Sequence, residues 1–95
     1  SGGQLRIFLS KSEAALDGLA GALRGLVVEA SLEPATTWAE VLDVVERDAS
    51  DALSALRLVA AQSSVSSQLI DNLNANIHFR ALLTDLFLVD ELIGA

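Results

Sequence analysis

The chain has 95 residues, enough for one domain with no second core, and 52% of them are hydrophobic before glycine is counted; typical soluble domains reach about 45–50% with glycine included. Six basic residues stand against thirteen acidic ones, a formal charge of −7. The bases Arg6, Lys11, Arg24, Arg47, Arg57 and Arg80 are scattered, which argues against direct nucleic-acid contact. Cysteine is absent, removing disulfides and thiolate metal sites. No uncharged apolar run approaches the roughly 20 residues that span a bilayer, and the opening "SGGQLRIFLSKSE" lacks the parts of a signal peptide. With no methionine, the chain reads as a piece of a longer protein.

The expected fold is all-α, a small bundle of four to five helices. There is one proline, no Asn-Gly or Asp-Gly hairpin signal and no sustained alternation of apolar and polar residues. The first helix is predicted over Ser12–Ala30, with Leu5 as an earlier start. Ser10 and Glu13 have capping-box spacing, and Leu16, Leu19, Ala20, Leu23, Leu26 and Val27 fall on one face. Gly18, Gly21 and Gly25 weaken this helix by up to about 1 kcal/mol each and predict the close approach of a neighbouring helix, or a bend.

"SLEPATT" is read as a loop. Thr37 and Glu40 repeat the capping-box spacing ahead of a short second helix ending near Arg47, with Trp38, Val41, Leu42 and Val45 inside. Ser50 is the expected cap of a third helix running to Leu73, with Asp48 and Asp51 near its positive end and "QSSVSSQ" as a kink or exposed flank. Asn76 suits the N-cap of a last helix reaching about Ile93. That helix is apolar on more than one side: Leu82, Leu86, Val89 and Ile93 mark one face, Phe79, Leu83 and Phe87 another, with Leu88 between. Such a helix is buried on more than one side, by its own bundle or by another chain.

Little in the sequence points to chemistry. His78 is the only histidine, with no companion ligands or catalytic partners; it reads as a rim residue or a polar interface contact. Asp85 interrupts an apolar run, as a solvated flank or as a contact to a neighbouring helix or subunit. Arg80 with Thr84 and Asp43 with Arg47 are spaced to meet on helix surfaces. No phosphate loop, nucleophile elbow or dense calcium loop is present in the sequence. No cofactor, no metal and no enzymatic activity of the fragment are expected.

The stretch "SSQLIDNLNANIHFRALLTDLFL" is similar to the end of the δ′ subunit of the bacterial DNA polymerase III clamp loader. There a helix, a short Asn-containing loop and a final helix follow one another; here the loop is Asn74-Ala75-Asn76 and the final helix carries Leu82-Leu83-Thr84-Asp85-Leu86-Phe87-Leu88. "ALDGLAGALRGLVVE" resembles the helix that opens the same domain, with "WAEVLDVVERDASDALSALRLV" where its middle helices would lie. The resemblance implies a collar domain, a cytoplasmic hetero-oligomerisation module that packs against other clamp-loader subunits during DNA replication, without membrane or direct nucleic-acid contact. The ATPase machinery of that family lies in other modules, so the resemblance transfers no catalytic residue. It implies an interface role for Asn74, Asn76, Phe79, Leu83, Leu86 and Phe87. The competing expectations are a regulatory or ligand-binding bundle whose apolar helix lines a pocket, and a homodimerising bundle unrelated to replication.

Overall fold

The computed structural model describes residues 2–94. They form four helices: α1 (Gly2–Glu29), α2 (Ala35–Ala60), α3 (Ser67–Asn74) and α4 (Ile77–Gly94), with no strand among the described residues. The fold is therefore a small all-α bundle, as the composition and periodicity predict. It is elongated, 46 × 21 × 20 Å, because two helices of about 40 Å, at 1.5 Å per residue, lie side by side. Both α1 and α4 pack chiefly against α2.

Helix α2 runs unbroken through the predicted second helix and the first part of the third. It starts at Ala35, ahead of the Thr37 capping box, with Pro34 in extended conformation as N-cap. Glu33 Oε2 accepts the Ala35 N–H at 3.0 Å, supplying the partner that a proline side chain cannot. Ser50 does not start a helix. Its amide belongs to a continuous ladder, its carbonyl accepts the Ser54 hydroxyl at 3.2 Å, and Asp48 and Asp51 sit mid-helix. Continuity is favoured because Trp38, Leu42, Val45, Ala49, Ala52, Leu53 and Leu56 hold a single buried stripe across the acidic stretch. The small Ala49 and Ala52 within it, 4% and 0% exposed, offer little hydrophobic signal in a sequence scan.

Helix α1 begins at Gly2, so Ser10 lies inside it and caps nothing. Its end is a Schellman turn: the Leu32 N–H reaches the Val27 carbonyl and the Ser31 N–H the Val28 carbonyl, both at 3.1 Å. Ser31 occupies the left-handed position, φ 53°, and Leu32 packs with Val27 in the core. The three helix glycines do not mark a close approach: a Cβ at Gly18, Gly21 or Gly25 would meet nothing within 4 Å, and α1 continues through all three. Two exchanges in opposite directions should therefore both stabilise. Gly18→Ala gains helix propensity and Ser31→Gly relieves a left-handed serine, each by about 0.5–1 kcal/mol in urea denaturation. A loss in Gly18→Ala would show that its face is covered.

The polar "QSSVSSQ" segment is a true break between helices, pinned at both ends. Arg6 from α1 donates to the carbonyls of Ala60, at 3.0 Å, and Gln62, at the C-terminus of α2, where a cation also meets the negative end of the helix dipole. Ser66 caps α3 by accepting the Leu69 N–H at 3.1 Å. Val65 is the buried plug between them, in a cluster with Leu9, Leu56, Ile70 and Leu73. The larger cluster joins Val27 of α1, the α2 stripe and Leu82 and Val89 of α4.

Ion pairs tie α1 to α2. Arg24 reaches both Asp43 at 2.8 Å and Glu46 at 2.9 Å, and Arg57 reaches Glu13 at 2.9 Å. Asp43 thus pairs across helices and not with Arg47. These groups are exposed, so they contribute register more than stability.

Candidate functional site

Helix α4 presents its surfaces in three sectors. Leu82 and Val89, each 2% exposed, face α2 with Phe79, Leu86 and Ile93 half-buried around them. On one flank Leu83 and Phe87, four residues apart and so neighbours on the helix, stand out at 47% and 70% exposure. On the other flank Leu88 and Leu92, again four apart, are each 52% exposed and form a groove with Trp38 and Val41 of α2. The outer sector carries Arg80, Thr84 and Glu91, and the Thr84 hydroxyl donates back to the Arg80 carbonyl at 2.8 Å.

The six residues singled out by sequence fall into different environments. Asn76 is the N-cap predicted for it: its Oδ1 accepts the His78 N–H at 2.9 Å and fixes the start of α4. Asn74 is the exposed last residue of α3. Phe79 and Leu86 lean onto the core, which leaves Leu83 and Phe87 as the pair turned outward. His78 is exposed over a shallow depression formed with Asp51, Ala55 and Leu58, and no group of three or more metal-ligating side chains occurs among the described residues. A cavity of about 430 Å³ lies between the end of α1 and the start of α2, lined by Val27, Leu32, Ala39 and Leu42 among others and by no residue of α4.

Asp85 is not a solvated flank; it faces the neighbouring helix α2, the other position its place in the sequence allows. It is half-buried, and its Oδ2 is fully covered with no hydrogen-bond partner. Burial first, and the Asp48 carboxyl facing it from α2 second, push its pKa from the ordinary 3.8 up to about 6. A carboxyl covered in this way beside a second carboxyl is held at lowest cost when it carries a proton. The pairing was hidden in the sequence because the two residues lie 37 positions apart on different helices.

The elongated shape leaves the molecule with more surface than a compact chain of its mass, and the two apolar flanks of α4 are part of that surface. Its accessible area is 6103 Å², whereas a compact monomer of 10.0 kDa exposes about 5,200 Å². Among the described residues no helix is long and apolar enough to cross a membrane. No protein-family model, curated protein or solved structure matches the chain. The class defined by the molecule itself is a small elongated helical bundle with an open apolar face.

Proposed function

We propose that this domain is a non-catalytic association module whose Leu83–Phe87 flank is covered by another chain. The observation that carries this is Phe87, a large aromatic side chain left 70% exposed beside Leu83 on a helix already anchored by Leu82 and Val89. An aromatic and a leucine side by side on one exposed helix flank supply the kind of apolar anchor that partner surfaces cover. In its finer form the module is the collar domain of a cytoplasmic clamp-loader subunit of the δ′ kind, packed against neighbouring subunits during DNA replication. What supports that form is the sequence likeness through Asn74–Asn76 and Leu82–Leu88. The formal charge of −7 opposes self-association through mutual repulsion and favours a partner of different composition.

The test is light scattering of the domain alone and mixed with the other subunits of a bacterial clamp loader. The domain alone should give a mass near 10.0 kDa at every concentration, and the mixture a stable complex. Leu83→Asp and Phe87→Asp should abolish the complex while circular dichroism and melting stay unchanged. A defined dimer of the isolated domain would replace the hetero-oligomeric form with a homodimeric bundle. A complex indifferent to both substitutions would remove this flank as the interface.

A further inference from the structure

The second flank of α4 differs from the first in shape and charge. Leu88 and Leu92 do not simply protrude: with Trp38 and Val41 they wall a groove of about 240 Å³, whose lining also includes Glu33, Pro34 and Thr37. That volume lies below the roughly 300–1,000 Å³ of small-molecule sites and suits one or two anchoring side chains.

The groove's surroundings are acidic without a counterion. Glu40 lies one helical turn from Thr37, a residue of the α2 wall, and Glu91 one turn from Leu88 on the α4 wall. Of the three, Glu33 lines the groove itself, while Glu40 and Glu91 are exposed just outside its walls, towards the outer sides of α2 and α4. The ion pairs among the described residues involve Arg24 with Asp43 and Glu46, and Arg57 with Glu13; none reaches Glu33, Glu40 or Glu91. Helix α4 ends here with no basic residue in its last turn, where Glu91 sits and the dipole favours a cation, while the positive end of α2 is already met by Glu33.

We infer that the Trp38–Leu88–Leu92 groove docks an amphipathic helix of a partner protein, its apolar side chains in the groove and its lysines and arginines over Glu33, Glu40 and Glu91. Helix-in-groove recognition supplies the anchors, and charge complementarity chooses among occupants. A second copy of this chain through the same face would set these carboxylates against one another. An anionic membrane would be repelled by them. The inference is independent of the Leu83–Phe87 interface, since the two flanks share no residue.

The experiment uses the whole domain and two fluorescent synthetic helical peptides with the same leucine stripe, one rimmed by lysine and arginine, the other by glutamate. Anisotropy should show saturable binding of the basic peptide that weakens with salt, and binding of the acidic peptide at least tenfold weaker. Leu92→Ser should weaken the basic peptide about tenfold. Glu40→Gln with Glu91→Gln should weaken it threefold to tenfold and flatten the salt dependence, with circular dichroism unchanged in each case. Leu83→Asp should leave the affinity as it was. Equal affinity for both peptides, no binding of either, or a Glu40→Gln/Glu91→Gln variant that binds as before would overturn the inference. So would binding of the domain to phosphatidylglycerol vesicles in preference to the basic peptide.

Discussion

Leu82→Ala should lower the unfolding free energy by roughly 3–4 kcal/mol, while Leu83→Ala, its immediate neighbour, should change it by less than about 1 kcal/mol. The chemistry of the two truncations is identical and only the surroundings differ. Leu82 is 2% exposed within the cluster that joins α4 to Val45, Ala49 and Ala52 of α2, and Leu83 is 47% exposed on the open flank. Removing Leu82 deletes buried surface and leaves a cavity that stiff helix backbones cannot close. For a domain of this size, whose total stability is about 5–10 kcal/mol, that is a third or more of the whole. Urea denaturation of both variants measures the contrast directly. Equal losses would mean that the Leu83 flank is already buried within the monomer, and the association surface would then be lost along with it.

That contrast also shows which parts of the molecule its sequence displays. The two apolar faces of α4 are legible because both follow helical spacing, and Asn76 is legible as a cap because only one helix start lies within its reach. The chain order of helix, Asn-containing turn and helix at residues 67–94 follows from the same local signals. Helix α2 is misread for a physical reason. Thr37 and Ser50 are good caps only where amides lack partners, and within a helix held by the Trp38–Leu56 stripe those amides are already bonded. The glycines of α1 mislead in the opposite sense: their spacing suits a close crossing, yet their side of the helix is open. What spacing along one helix cannot reveal is pairing between helices. Asp43 turns to Arg24 instead of Arg47, Leu88 and Leu92 find Trp38, and Asp85 finds Asp48.

The Asp85–Asp48 contact makes the stability of the bundle depend on pH in a direction opposite to that of most carboxylates. The folded-state pKa of Asp85, about 6, lies above its ordinary value of 3.8, so the native state binds the proton more tightly than the unfolded chain does. Its stabilising contribution is therefore fully present below about pH 4 and is lost as the pH rises through about 6. A full shift of that size corresponds to just under 3 kcal/mol, and partial solvent access reduces it to about 1–2 kcal/mol. Asp85→Asn keeps the shape, supplies an amide donor to the Asp48 carboxylate and titrates nowhere. It should be more stable than the parent at pH 7.5 by about 1–2 kcal/mol, with the difference shrinking towards zero at pH 4. Asp48→Asn should recover only part of that gain, because the burial of Asp85, the larger cause of its raised pKa, remains. Unfolding measured in urea between pH 4 and 8 separates these outcomes. An Asp85→Asn variant less stable than the parent at pH 7.5 would mean that the ionised Asp85 carboxylate has a favourable partner, and that α2 and α4 meet around a charge and not around a shared proton.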